Sequence, residues 1–191
     1  VIPKKCGHEL GRKIVPVEEM KQKIRAAPDA RKSSRFLIIA RTDSRTEYGL
    51  EEALSRAKAY EEVGADVLFV ESLQTVKEMK ELHTRIKAPT LANMVEGGRP
   101  PLLSVQELED IGYKIAIFPN TLIRVMTKAA LGCLEELTTE GTTRKMLERM
   151  FTHDQLFELF DFTHWVNLEK KYLNINMLPV KQKKSISRSE K

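Results

Sequence analysis

The sequence has 191 residues, of which 41% are hydrophobic and 31% charged, so it is long enough for one substantial core and too apolar for a disordered chain. Its formal charge of +5 comes mainly from a Lys- and Ser-rich end, while the rest of the chain is nearly balanced. The sequence lacks the basic stripe with interleaved aromatic residues that is typical of nucleic-acid binding. We therefore expect a globular protein with no nucleic-acid partner.

The two cysteines, Cys6 and Cys133, stand in unlike settings, which argues against a disulfide scaffold. They favour a reducing compartment such as the cytoplasm or the mitochondrial matrix. No apolar run is long enough for a transmembrane helix and no signal peptide is evident, so we expect no membrane partner. The chain begins with Val1 and not with Met, from which we expect its numbering to start inside a longer protein.

The first predicted element is a polar loop over residues 1–12 that gathers a thiol, an imidazole and two ammonium groups. Nearby positive charge favours the thiolate form of a cysteine, and a glycine lets the backbone approach a ligand closely. Such a loop suits proton transfer. Its chemically informative residues are Lys4, Lys5, Cys6, Gly7 and His8.

Four short apolar runs follow, each alternating with a longer amphipathic segment, which is the pattern of successive βα units on a parallel sheet. The runs are apolar on consecutive residues, as strands buried on both faces require, and Gly64 and Gly112 stand where helix C-caps belong. The predicted strands are residues 36–40, 67–70, 90–92 and 115–118. The predicted helices are residues 16–27, 50–63, 75–86, 104–111 and 121–137.

A polar residue follows each predicted strand. In a βα barrel, catalytic residues project from the carboxyl ends of the strands, so these positions are candidates for a site. Four βα units make half of an eight-stranded barrel and leave two open edges, which predicts about four further strands upstream. An open doubly wound sheet is the alternative, although no Gly-rich phosphate loop follows a strand. The strand-end residues are Arg41, Glu71, Asn93 and Asn120.

Beyond residue 139 the sequence becomes a dense apolar helical region, which indicates a partner surface. We therefore predict three parts. They are a partial barrel over residues 1–139 with its loop at 1–12, a helical oligomerisation region over 140–175, and a disordered basic tail over 176–191.

Four motifs in chain order carry a resemblance to a known family. They are Lys-Lys-Cys-Gly-His at 4–8, Ile-Ala-Arg-Thr-Asp at 39–43, Glu71, and Leu-Ala-Asn-Met-Val-Glu-Gly-Gly at 91–98. With them the chain resembles the isocitrate lyase and phosphoenolpyruvate mutase superfamily from Val1 to about residue 168. The resemblance implies an α/β fold, namely the C-terminal half of a (β/α)8 TIM barrel. It also implies a C-terminal helix exchanged between subunits of a homodimer or homotetramer.

The cysteine loop, in this family, distinguishes enzymes that cleave carbon-carbon bonds from phosphonate mutases, so the resemblance implies a lyase. Such enzymes, of the methylisocitrate lyase type, split a 2-hydroxy di- or tricarboxylate into a 2-oxo acid and a carboxylate. Mg²⁺ or Mn²⁺ holds the oxo acid. The family pattern places the metal ligands just before the loop, so we expect them upstream of Val1 and none in this chain.

The resemblance also assigns roles to single residues. Cys6 is the expected general acid that protonates the departing enolate carbon, with Lys4 supporting it and His8 donating a hydrogen bond to the oxo acid. Asp43 is expected to orient Arg41 or to contact the metal through water. The expected substrate contacts are Cys6, Gly7, Arg41, Glu71, Asn93 and Arg124.

Two departures from the family pattern bear on the substrate. Members that cleave 2-methylisocitrate carry a threonine and an arginine where this chain has Val95 and His153. A tricarboxylate would lose one hydroxyl donor and one positive charge, which leaves an oxaloacetate hydrolase or a dimethylmalate lyase as alternatives with a smaller dicarboxylate substrate. A third alternative is an inactive truncated barrel that lacks the metal site.

Overall fold

The structure is a computed structural model that describes residues 3–5 and 11–173. The chain divides into two compact units, Val1–Lys128 and Ala129–Lys191, and the boundary falls within a helix. The elements in chain order are α1 (Val17–Ala30), β1 (Ile39–Thr42), α2 (Arg45–Glu62), β2 (Val67–Val70), α3 (Val76–Arg85), β3 (Leu91–Asn93), α4 (Val105–Ile111), β4 (Ile115–Ile117), α5 (Thr121–Glu140), a 3₁₀ helix (Arg144–Arg149), α6 (His153–Leu159) and α7 (Phe162–Leu173).

The four strands run parallel and neighbour each other in chain order. Strands β1 and β2 pair from Ile39 opposite Val67, and β3 and β4 pair from Leu91 opposite Ile115. A single bridge between Leu68 and Thr90 joins the two pairs. Because a helix connects each strand to the next, the βα pattern predicted from the sequence is confirmed for the described residues.

The sheet buries side chains on both faces, which explains the consecutive apolar residues in its strands. Leu68 and Val70 point into one cluster with helix residues such as Leu54 and Leu82, while alternate residues form a second cluster. The second cluster contains Val67, Phe69 and Leu91, with Ile115 and Ile117 packed against it. Strand β2 is therefore buried on both faces in the manner of strands in α/β proteins, whereas β1 and β4 are only partly buried.

The first strand begins later than predicted. Residues 36 and 37 were expected in the strand, but Phe36 and Leu37 are exposed and β1 covers Ile39–Thr42. The carboxylate of Asp66 accepts hydrogen bonds from the Ile38 backbone N–H at 2.8 Å and from Arg31 at 2.5 Å. The Ile38 backbone oxygen in turn accepts from the N–H groups of Asp66 and Val67, so contact with the next strand begins at Ile38, and Phe36 and Leu37 stay outside it.

Glycines end two of the helices, as the sequence predicts. Gly64 and Gly112 have φ angles of +101° and +125°, which side chains with a Cβ rarely adopt. A Cβ added to Gly112 would also lie 2.8 Å from a ring carbon of His83. Glycine at this position is therefore required by both backbone conformation and packing.

The second unit is helical and exposes many large apolar side chains. Its helix α6 starts with a capping box in which Thr152 and Gln155 exchange hydrogen bonds, and the rings of Phe157 and Phe162 stack at 4.5 Å. Large apolar side chains that remain exposed include Leu131, Leu134, Leu147, Phe151, Leu159, Phe160 and Trp165. Among the described residues, no helix combines the length and apolar character needed to cross a membrane.

Candidate functional site

Three of the predicted site residues meet at the carboxyl ends of β1, β2 and β3. Arg41 lies inside β1, one position before its end, and not after the strand as predicted. Its Nη2 is 3.0 Å from Oε2 of Glu71, and Nδ2 of Asn93 donates to the same oxygen at 3.1 Å. The parallel register brings these residues together from three chain segments.

Glu71 is the buried centre of this group, with only 1% of its surface exposed. Its other oxygen, Oε1, accepts hydrogen bonds from the backbone N–H of Ser72 at 2.9 Å and from the Ser72 hydroxyl at 3.2 Å. Ser72 has a φ of +64°, an uncommon conformation for a residue other than glycine. A buried carboxylate requires such compensation, so Glu71 serves to hold Arg41 and Asn93.

Arg41 is held by a second carboxylate and by an aromatic ring. Both Nε and Nη2 donate to Oδ1 of Asp43, at 3.2 and 2.8 Å. The guanidinium carbon lies 4.7 Å from the centre of the Phe69 ring. Among the described residues, Nη1 of Arg41 makes no hydrogen bond, which leaves this donor for an anionic ligand.

Asp43 collects positive charge from three chain segments. Arg12 Nη1 donates to Oδ1 of Asp43 at 3.0 Å, and Lys4 Nζ lies 3.8 Å from Oδ2. Arg12 was not among the predicted site residues, because beside Gly11 and Lys13 it is indistinguishable from an ordinary solvated loop arginine. In the structure only 5% of Arg12 is exposed.

A cavity of about 640 Å³ adjoins this group within the first unit. Among the described residues, its charged lining contains seven cations and one acid, Asp43, and two of the cations, Arg56 and Lys23, pair with Glu52 and Glu19. The cationic residues that line it are Lys4, Lys5, Arg12, Lys13, Lys23, Arg41 and Arg56.

Arg124 was expected to contact substrate, but in the described structure it belongs to a separate polar group at the start of α5. Its Nη1 donates to the backbone oxygen of Glu96 at 2.6 Å and lies 3.5 Å from that residue's Oε2. Thr121 donates to Oε1 of Glu96. This hydrogen bond, the Glu96 backbone N–H and the charge of Arg124 lower the pKa of Glu96 below its ordinary value. No hydrogen bond links Arg124 to Arg41 or Glu71 among the described residues.

The other predicted catalytic residues are only partly covered by the described structure. Lys4 is exposed, and its Nζ lies 3.8 Å from Oδ2 of Asp43. Cys6, Gly7 and His8 lie outside the described residues, as does the predicted basic tail at 176–191. The roles assigned to them stay predictions.

The described carboxylates do not suit a magnesium ion. Mg²⁺ takes carboxylate oxygens and water as ligands, but both oxygens of Glu71 and Oδ1 of Asp43 already accept from cationic or N–H donors. Over residues 3–5 and 11–173, no group of three or more His, Cys, Asp or Glu side chains could hold a metal. Asp43 is placed to orient Arg41, which was one of its two expected roles.

Curated proteins that are similar in sequence to this chain include carbon-carbon lyases. The chain is 46% identical over 172 residues to 2,3-dimethylmalate lyase of Eubacterium barkeri, covering 90% of this chain and 60% of that protein. It is 42% identical over 162 residues to 2-methylisocitrate lyase of Aeropyrum pernix, covering 85% of this chain and 52% of the relative. The chain thus spans between half and two thirds of the length of these relatives.

Solved structures share the fold. Oxaloacetate acetylhydrolase in complex with 3,3-difluorooxalacetate matches with a TM-score of 0.83 and 28% identity, over 93% of this chain and 60% of that one. Phosphonopyruvate hydrolase in complex with oxalate and Mg²⁺ matches with a TM-score of 0.76 and 26% identity, over 91% and 60% of the two chains. The α/β fold of this chain is therefore TIM-barrel-like.

The phosphoenolpyruvate phosphomutase family model matches residues 4–138, which include the strand ends and the segment that carries the cysteine motif. Together with the 46% identity to a lyase, this match settles the family. The chain belongs to the phosphoenolpyruvate mutase and isocitrate lyase superfamily.

Proposed function

We propose that the protein is a carbon-carbon bond lyase whose Arg41 binds a carboxylate of a 2-hydroxy di- or tricarboxylate substrate. The observation that carries this proposal is the arrangement around Arg41, whose guanidinium is held by Glu71 and Asp43 while Nη1 has no described partner. A planar guanidinium fixed in this way offers a directed donor with a permanent charge. The relatives named as lyases support the reaction class.

The chain's own residues have distinct tasks in this proposal. Arg41 binds and orients the substrate carboxylate, and Glu71, which also accepts a hydrogen bond from Asn93, holds Arg41 in position. Cys6 supplies the proton to the departing carbon, with Lys4 and His8 beside it in the sequence, a role that rests on the family resemblance.

Within this class, a smaller dicarboxylate is the favoured substrate. The departures at Val95 and His153 remove groups that a tricarboxylate would use, and the relatives include a dimethylmalate lyase and an oxaloacetate acetylhydrolase. The first substrates to test are therefore 2,3-dimethylmalate, a 2-hydroxy dicarboxylate, and oxaloacetate, the 2-oxo dicarboxylate of the alternative hydrolase reaction, with 2-methylisocitrate as the tricarboxylate comparison.

Mg²⁺, or Mn²⁺ in its place, is the proposed cofactor, because a solved relative binds oxalate together with Mg²⁺. When bound, the cation would hold and polarise the oxo acid. No group of three or more described His, Cys, Asp or Glu side chains could hold a metal, so in this proposal residues outside the described set supply the ligands.

We also propose that the fold is completed by contacts beyond the described strands. In the described residues, β1 and β4 each pair with only one neighbouring strand, and an eight-stranded barrel would cover both open edges. The exposed apolar side chains of the second unit favour a homodimer or homotetramer with an exchanged helix. Light scattering coupled to gel filtration tests the assembly, and a monomer at micromolar concentration would argue against it.

The activity test is a substrate screen on the whole protein with and without Mg²⁺. Release of a 2-oxo acid or of oxalate from one of the dicarboxylates is expected, and Cys6→Ser should lower kcat far more than substrate affinity. Full turnover by this variant would remove Cys6 from the mechanism. Oxalate binding with no turnover of any substrate would instead favour the inactive barrel.

A further inference from the structure

Arg12 is a buried cation that depends on one carboxylate. Only 4% of its side chain is exposed, and Nη1 donates to Oδ1 of Asp43 at 3.0 Å. Its Nε and Nη2 are also buried, and neither has a hydrogen-bond partner among the described residues. Within this part of the chain, Asp43 is therefore the group that compensates the charge of Arg12.

The same oxygen of Asp43 holds Arg41. Oδ1 accepts from Arg41 Nη2 at 2.8 Å and from Arg41 Nε at 3.2 Å in addition to the bond from Arg12. The Asp43 side chain is only 16% exposed, and its other oxygen, Oδ2, lies 3.8 Å from Nζ of the exposed Lys4. Because the buried Arg12 fixes the Asp43 carboxylate, this carboxylate can in turn fix the guanidinium of Arg41.

Two features separate this pair from an ordinary surface ion pair. Arg12 and Asp43 lie 31 residues apart, and the segment bearing Arg12 is anchored a second time where Gly11 N–H donates to Glu47 at 2.9 Å. Glu47 belongs to α2, the helix that directly follows Asp43. The loop with Arg12 is therefore attached twice to the junction of β1 and α2.

We propose that Arg12 and Asp43 form a positioning pair that orients Arg41 for a substrate carboxylate. The inference rests on the proposed function, in which Arg41 binds that carboxylate. Arg12 acts through Asp43 and makes no described contact with Arg41. Its removal frees Asp43 to rotate, and Arg41 then loses one of the two carboxylates that direct its Nη1.

The test compares oxalate binding by calorimetry, kcat and KM, and the melting temperature in variants of the whole protein. Arg12→Met removes the charge but keeps an extended side chain, and it should raise the Kd for oxalate and the KM about tenfold, as loss of a charge-assisted contact does, with a smaller change in kcat. Arg12→Lys should restore part of the affinity, because an ammonium also donates to Asp43.

The double variant Arg12→Met with Asp43→Asn separates positioning from charge compensation. Removing both charges should recover the melting temperature lost in Asp43→Asn, yet oxalate binding should stay weak. If binding recovers as well, Asp43 only neutralises Arg12 and the proposal is overturned. Wild-type affinity in Arg12→Met would overturn it too.

A measurement without ligand distinguishes this proposal from the proposed function. The proton on Nε of Arg41, followed by ¹H–¹⁵N NMR, should exchange with water slowly in the wild type and fast in Arg12→Met. If the wild type binds no oxalate but this difference is present, the proposed function fails and the positioning pair stands. If the proton exchanges equally in both proteins, the positioning pair is rejected.

Discussion

The two arginines predicted to bind carboxylates stand in very different surroundings. Arg41 has 29% of its side chain exposed and contacts two carboxylates and a ring, whereas Arg124 is 56% exposed and contacts one loop residue, Glu96. The sequence singles out Arg41 by its position at a strand end, whereas Arg124, near a helix start, is expected to contact substrate only from the family resemblance. The difference teaches that Arg41 is built into the scaffold, while Arg124 is attached to its surface.

The largest effect on stability is expected where the scaffold compensates Arg41. Glu71→Gln replaces a buried carboxylate, both of whose oxygens face donors, by an amide whose NH₂ group would meet a donor on either side. We expect the free energy of unfolding to fall by about 3 kcal/mol, because a buried polar group is then left unsatisfied and the pair with Arg41 is lost. Urea denaturation measures this. Glu51→Gln is the matched control, since the Glu51 pair with Arg85 is exposed, and its effect on stability should be much smaller. Equal losses of unfolding free energy in Glu71→Gln and Glu51→Gln would contradict the view that the buried group around Arg41 is part of the scaffold.

A change at Arg41 itself should affect binding more than folding. Arg41→Lys keeps the charge but cannot bridge Asp43 and Glu71 with a planar fork, so we expect the KM to rise by about ten- to a hundredfold. Steady-state kinetics on a substrate found in the screen provide the measurement. An unchanged KM would show that the geometry of the guanidinium is unimportant.

A smaller effect on stability is expected at the exposed arginine. Arg124→Gln removes a contact at the surface, so the free energy of unfolding should change by less than about 1 kcal/mol. The KM should still rise if Arg124 binds a second carboxylate. Thermal unfolding and kinetics on the same sample separate these effects, and a large loss of stability would place Arg124 in the scaffold with Arg41.

The smallest expected effect is a pKa change in the group around Arg124. The hydrogen bond from Thr121 is the largest cause of the lowered pKa of Glu96, ahead of the charge of Arg124. Thr121→Val should therefore raise the pKa of Glu96 more than Arg124→Gln does. An NMR titration of the Glu96 carboxyl carbon measures both, and the reverse order would contradict the arrangement.

The sign of the pH dependence follows from the direction of this shift. Because the pKa of Glu96 is lower in the folded than in the unfolded state, its contribution to stability is present above the ordinary glutamate pKa. That contribution is lost as the pH falls through the folded pKa. The difference in stability between wild type and Glu96→Gln should accordingly shrink on acidification.

The sequence predicted those parts of the fold that depend on local patterns. The strand at 67–70 is confirmed at both ends, since a strand buried on both faces is apolar throughout. The first strand lies at Ile39–Thr42 and not at 36–40 as predicted. Its end includes the polar residues Arg41 and Thr42, and the backbone just before it is held by Asp66, which is distant in sequence. Propensity alone carries no information about that contact.

The site was predicted where it follows from topology and missed where it depends on long-range contacts. Arg41, Glu71 and Asn93 meet because parallel strands end at one edge of the sheet. Arg12 was missed because its burial arises from a contact with Asp43 that no local pattern signals. The pairing of Glu96 with Arg124 likewise joins the loop after β3 to the first turn of α5, two segments that are separate in the sequence.

Oxalate binding to the wild type and to Arg41→Lys, measured by calorimetry in the presence of Mg²⁺, tests the central claim most directly. We predict that the wild type binds oxalate and that the variant binds it at least about tenfold more weakly, because the directed donor is lost. Equal affinity in the two proteins would contradict the claim that Arg41, held by Glu71 and Asp43, binds the substrate carboxylate.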